Sequence, residues 1–274
     1  MIYYRFIPLF VIVLVVWVIY APGLSGPLFY DDRGNLFNLE NIVDLPTLWH
    51  FVKSGQAGPL GRPIALLTFA VQAESWPNPY AFLFANVIIH IVNAALLFFI
   101  TIRIFRLSDL KVSEPQLCCL AIAAALLWAV LPLNVSTSLI TVQRMTGLSA
   151  TFGLLGILVY LIQYRLYESR SVWIALLAQF ATLAIFVLLG MFTKESAALI
   201  PVFILVLELT VLREASCTVA GRKYRVFILA SAFLGLVFYL SPLVQDWITV
   251  SRHRGFSRLE RVSTEWVVLW SYLQ

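Results

Sequence analysis

The feature that most limits this chain is a series of long apolar runs. Residues 6–22 hold no charged side chain, and neither do 81–102 or 172–190. A helix needs roughly 20 apolar residues to cross the hydrocarbon of a bilayer, and these runs approach that length. Further runs at 117–131, 147–162, 196–212 and 226–243 complete a set of about seven expected spans. With 61% of its residues hydrophobic and 12% charged, a soluble domain of 274 residues could not bury this much apolar surface. The expected fold is all-α: a polytopic transmembrane helical bundle. The last stretch, "EWVVLWSYLQ", reads as an eighth helix or an interfacial segment. That ending is expected of the N-terminal part of a longer protein.

Loop charges orient the bundle, because Lys and Arg near helix ends favour the cytoplasmic side. With the N-terminus inside, Arg5, then Arg103, Arg106 and Lys111, then Arg165 and Arg170, then Arg213, Arg222, Lys223 and Arg225 fall on inner segments. The other basic residues lie largely in two long outer loops, 23–80 and 244–265, where the rule has little force. A multi-pass protein with a cytoplasmic N-terminus is expected. The first run reads as a retained anchor, although "GLSG" gives it some likeness to a signal peptide. In either case the residues after Pro22 emerge outside. The net charge of +5 suits a membrane surface and gives no support for nucleic acid binding. Cys118, Cys119 and Cys217 have neither metal-ligand nor disulfide spacing.

The first outer loop, 23–80, is patterned rather than linker-like. "NIVDLPTLWHFVKSG" places Ile42, Leu45, Leu48, Trp49 and Phe51 at helical spacing, with Pro46 in a first turn and Gly55 as a stop. "PIALLTFAVQAESW" is apolar and then polar. Both read as interfacial helices, with Trp49 and Trp76 at headgroup depth.

Polar groups stand out against this background. Asp31 and Asp32 follow the first span in "FYDDRGN", with Arg33 next to them. A carboxylate in a cleft beside the membrane can act as a general base toward a hydroxyl; the same pair can instead cap a short helix over 32–38. In Gly61-Arg62-Pro63 the flanking residues fix the direction of a guanidinium that suits a phosphate. Asn86, His90 and Asn93 lie on one face of the second span, facing either neighbouring helices or a wet cavity. Asn134, Gln143 and Arg144 sit at one outer turn, and Lys194 and Glu195 at another, where Thr193 reads as an N-cap. Arg62, Arg144 and Lys194 are expected at the depth of Asp31, as a site for an anionic lipid headgroup. In the last outer loop Arg252 and Arg254, with Arg258 and Arg261, fit either a phosphate or anionic lipid.

Five stretches occur in a telling order: "FYDDRGNLFNLENIVDL", "GPLGRPIALLTFAVQ", "NPYAFLFANVIIHIVNAALLFF", "LPLNVSTSLITVQRMTGLSATFGLLGILVYL" and "MFTKESAALIPVFILVLEL". Together they resemble the GT-C glycosyltransferases of the TMTC type, including bacterial relatives that carry C-terminal tetratricopeptide repeats. The likeness runs from Phe29 to Glu208 and continues weakly in "RLERVSTEWVVLWSYL". Relatives have His-Pro-Leu-His where this chain has Leu131-Pro132-Leu133-Asn134, and serine where it has Thr193.

The resemblance implies a membrane enzyme that moves a sugar from a polyprenyl-phosphate carrier to an acceptor hydroxyl of a protein, glycan or lipid. The reaction takes place on the outer face, which in a bacterial inner membrane faces the periplasm. It assigns the acidic pair Asp31 and Asp32 as the source of the catalytic base. By position, Arg62, Arg144 and Lys194 are the candidates to hold the donor phosphate, with Arg33, Asn86, His90, Asn134, Gln143, Glu195, Arg252 and Arg254 as site-lining candidates. The only small-molecule partner implied is the lipid-linked sugar donor. A metal is not required, because the cations can carry the phosphate charge, and a divalent ion on the Asp pair stays open. A flippase for lipid-linked sugars is the rival from another class, and it favours ionisable groups near mid-membrane. A non-catalytic scaffold is a third reading.

Overall fold

The computed structural model describes residues 3–108, 112–166, 172–213, 219–250 and 258–273. The chain opens with α1 (Tyr3–Tyr20), which runs into a 3-10 turn at Ala21–Ser25. The first loop holds three short helices: α2 (Tyr30–Leu36), α3 (Leu45–Lys53) and α4 (Pro63–Ala70). Next come α5 (Tyr80–Leu107), α6 (Glu114–Ala129), α7 (Leu133–Leu139), α8 (Arg144–Leu166) and α9 (Val172–Met191). The remainder is α10 (Ile200–Leu209), α11 (Val219–Val250) and α12 (Arg258–Leu273). Among the described residues there is no β-strand.

The chain divides into two compact units, 1–226 and 227–274. The first carries α1–α10 and the start of α11. The second carries the rest of α11 and α12.

Among the described residues, four helical segments are long and apolar enough to cross a membrane: Phe6–Ser25, Tyr80–Leu107, Thr141–Tyr164 and Trp173–Met191. α6 and α7 make a fifth only as a pair bent by 71°. The described residues are thus those of an all-helical, multi-pass membrane protein with four to five candidate spans. Residues 196–212 do not form one helix. A 3-10 turn at Glu195–Leu199 precedes α10, whose ten residues reach only about 15 Å of the roughly 30 Å hydrocarbon. Pro201 sets the start of α10, as proline does in a first turn. The expected span 226–243 falls within α11, and its side chains beyond residue 238 lie outside the described residues.

Packing explains the order of the bundle. Ile12, Val16 and Tyr20 of α1 meet Leu83, Val87 and Ala94 of α5 in one core. Ala121, Ala125 and Ala129 present one small face of α6 to that core, and small side chains let helix backbones approach closely in membranes. The outward faces stay apolar: Leu177 of α9 is 73% exposed and Leu127 of α6 is 68% exposed.

The first loop is a folded layer with its own core. Leu36, Leu39, Phe51, Val52, Leu66 and Phe69 pack with Phe82 of α5 and with Val142 and Met145. Asp44 caps α3 by accepting the Thr47 amide at 2.9 Å. α3 buries Phe51 and Val52 and exposes Leu45 and Trp49, as its amphipathic pattern requires. Trp76, expected at headgroup depth, is half-buried. Its ring packs edge-on against Phe82 at 6.2 Å, at the margin of that core.

Candidate functional site

Asp31 and Asp32 open α2, where carboxylates favour the exposed N–H groups of a first helical turn. Their environments differ. Asp32 is fully buried. Its Oδ2 accepts the Phe29 amide at 2.8 Å, and its Oδ1 accepts the Val142 amide at 2.6 Å. Asp31 is exposed, and its backbone carbonyl accepts the Asn35 side chain. Arg33 is also exposed, as is Tyr30 beside it. The pair is therefore split: one carboxylate is spent on backbone amides and the other faces outward.

The Val142 amide belongs to a short linker between α7 and α8. Asn86 of α5 donates its Nδ2 to the carbonyls of Ile140 and Thr141 at 3.0 and 3.2 Å. Arg144, the first residue of α8, is 2% exposed and turns inward. Its Nε donates to Asn86 Oδ1 at 2.9 Å. Nη1 donates to the Thr68 carbonyl and Nη2 to the Phe82 carbonyl, each at 3.0 Å. The guanidinium also lies 4.4 Å from the centre of the Phe69 ring. Thr68 lies in the last turn of α4, where carbonyls have no helical partner and a cation is favourable. Arg144, expected at the donor phosphate, thus spends its donors on the scaffold.

Arg62 and Lys194 remain as cations with partial exposure. Gly58 and Gly61 have φ of 78° and 67°, and Arg62 itself sits in the left-handed region at φ 55°. A β-carbon on Gly58 would overlap the Glu195 carboxylate, so only glycine lets the loop close over it. That strained turn aims Arg62 Nη2 at Glu195 Oε2, 3.0 Å away, and Nη1 at Met145 Sδ, 3.5 Å away. The Ile64 amide fixes the turn to the Phe192 carbonyl at 3.2 Å. Arg62 Nε and Glu195 Oε1 are buried without a hydrogen-bond partner among the described residues.

Lys194 Nζ donates to Thr146 Oγ1 at 2.7 Å, and that hydroxyl donates to Gln143 Oε1 at 2.6 Å. Burial, and then the nearby Arg62 guanidinium, pull Lys194 below the usual lysine range against a smaller opposing effect of Glu195. Thr193 is not the expected N-cap. Its hydroxyl turns back to the Gly190 carbonyl at 2.6 Å, and Lys194 occupies the cap position.

The polar stripe on α5 binds neighbouring helices. His90 Nε2 donates to the Ala129 carbonyl at 2.9 Å, with its ring between Tyr20 and Trp128. Asn93 donates to the Gly147 carbonyl at 3.0 Å and accepts the Thr151 hydroxyl at 2.7 Å. Asn134 donates to the Trp128 carbonyl at 2.6 Å, closing the bend between α6 and α7. Arg252 and Arg254 lie outside the described residues.

One polar cluster escaped the sequence reading. Glu208 of α10 is fully buried. It pairs with Arg225 Nε at 3.1 Å and accepts the Tyr160 and Tyr164 hydroxyls at 2.5 and 3.4 Å. The available signal was a lone carboxylate in "PVFILVLEL", since an ionisable group in an apolar helix requires a partner.

Among the described residues, no three His, Cys, Asp or Glu side chains gather as a metal-binding group. No protein-family model, curated protein or solved structure matches the chain. The candidate site is therefore defined by its geometry: an exposed Asp31, a buried Asp32, the pinned linker 140–143 with the first turn of α8, and the Arg62–Glu195 and Lys194–Thr146 contacts.

Proposed function

We propose that this protein is an integral-membrane glycosyltransferase of GT-C type. It moves a sugar from a polyprenyl-phosphate donor to an acceptor hydroxyl, with inversion, on the face away from the cytoplasm. In a bacterial inner membrane that face is the periplasmic one. The observation that supports this reading is the division between Asp31 and Asp32. Two adjacent carboxylates sit in one turn, one exposed and one locked against the linker that leads to Met145 and Thr146, the contacts of Arg62 and Lys194.

In this reading Asp31 takes the proton of the acceptor hydroxyl. The acceptor oxygen attacks the anomeric carbon, and the bond from that carbon to the phosphate oxygen breaks. Polyprenyl phosphate leaves with the electron pair. Lys194 and Arg62 stabilise the charge that develops on the phosphate. Arg144 supports the scaffold from behind, because its hydrogen-bond donors face α4 and α5.

The full chain in vesicles, supplied with polyprenyl-phosphate sugars labelled in the sugar and a panel of hydroxyl acceptors, tests this reading. Loss of a general base is expected to slow transfer about 100-fold or more. Asp31→Asn should show that loss while inserting normally. Transfer at the wild-type rate in that variant removes Asp31 as the base. Lipid translocation that persists without any transfer supports a flippase instead.

A further inference from the structure

Asp32 makes one bond more than helix capping requires. Its bond to the Phe29 amide is local and closes the first turn of α2. Its bond to the Val142 amide reaches 110 residues along the chain. The segment it reaches is held from other directions as well, by Asn86 through two carbonyls and by Arg144 through α4 and α5. Just beyond Arg144 come Met145 and Thr146, the contacts of Arg62 and Lys194. Beside the core that Leu36 of α2 shares with Val142 and Met145, one charge-assisted hydrogen bond thus joins the helix that bears Asp31 to the segment that contacts the two cations. Bonds of this kind are short and about twice as strong as neutral ones.

We propose that Asp32 is a positioning residue that fixes α2, and with it Asp31, relative to the cations on the donor side. The proposal rests on the reading of Asp31 as the base. Asp32 itself stays out of proton transfer, because it is fully buried and both of its oxygens face backbone amides. Asparagine at this position keeps one acceptor and turns an NH2 group toward the other amide, so it opens the link without changing side-chain size.

Hydrogen exchange and kinetics on the full chain in lipid nanodiscs separate the two aspartates. Asp32→Asn is expected to speed exchange of the Val142 amide about tenfold, the equivalent of one lost hydrogen bond. It should also raise the KM for a polyprenyl-phosphate sugar. Asp31→Asn should leave Val142 exchange unchanged and lower kcat alone. Unchanged Val142 exchange in Asp32→Asn, or loss of kcat alone in both variants, overturns the proposal.

If Asp32→Asn fails to insert, replacing Val142 with its α-hydroxy analogue removes the same donor and leaves the carboxylate in place. The same rise in KM is expected there, and a wild-type KM overturns the proposal. A wild-type chain that transfers no sugar defeats the enzyme reading. The exchange contrast between the two aspartate variants still decides the positioning role in that case.

Discussion

The two ends of α8 carry buried charge in opposite ways. At the Tyr160 end, Glu208 and Arg225 neutralise each other, and two phenols complete the carboxylate. At the Arg144 end, about 24 Å away along the helix axis, charges are held largely by neutral groups. Asp32 takes two amides, Arg144 takes a side-chain amide and two carbonyls, and Lys194 takes a hydroxyl. Among the described residues, Arg62 and Glu195 form the one ion pair there, and both are partly exposed. The Glu208–Arg225 pair joins α10 to α11, and the two phenols tie it to α8. Lys194, held by a hydroxyl and partly exposed, keeps its charge for a ligand, which is why the Arg144 end is the better place for chemistry.

The contrast can be broken most forcefully at the Glu208 end. Glu208→Gln removes the buried carboxylate that pairs with Arg225, and losses of about 3–5 kcal/mol are typical of such changes. Removing both charges with leucine at 208 and 225 should recover most of that loss. Thermal unfolding in detergent reads both variants, and a double variant as weak as the single one contradicts the closed-pair picture.

At the other end the expected effect is on ligand rather than fold. Lys194→Gln should raise the KM for a polyprenyl-phosphate sugar about tenfold, the scale of one charged hydrogen bond. The proton balance of Lys194 adds a sharper mark. Its range lies below that of ordinary lysine, so it loses charge at a lower pH. Donor KM should therefore rise on the alkaline side before ordinary lysines titrate. Lys194→Arg should flatten that limb, because arginine stays charged. A limb that persists in Lys194→Arg assigns the titration elsewhere. The linkage for stability has the opposite sense, since a lysine with a depressed folded range makes the fold gain stability as pH rises through the interval below the ordinary range.

The smallest expected effect lies between the two ends. Asn93→Ala removes two hydrogen bonds between helices, each worth about 1 kcal/mol or less in membranes. It should lower the unfolding temperature slightly and leave sugar transfer unchanged. A loss of transfer comparable to that of Asp31→Asn extends the working site down α5.

Much of the fold was legible because lipid imposes a strict rule. A run of apolar residues long enough to cross the bilayer must be helical, so α1, α5, α8 and α9 could be read from their length. The broken region 195–209 was not legible, because an apolar run does not disclose where its backbone changes from 3-10 to α. Of the site, the sequence offered the right residue types near the right helix ends. It could not divide their roles: Asp31 and Asp32 are neighbours of identical chemistry, and only the arrival of the Val142 amide separates them. Arg144 and Lys194 looked equivalent for the same reason, until Thr68 and Phe82 claimed one and Thr146 the other.

The sequence by itself determined that this protein lives in a membrane, is built from helices, and gathers acids and bases near helix ends, because hydropathy and local spacing are properties of the chain alone. Only the tertiary structure decided which of those charges are committed to holding the fold and which remain available. That choice depends on hydrogen-bond partners brought from distant segments, and a backbone amide carries no mark in the sequence to say whose carboxylate it will meet.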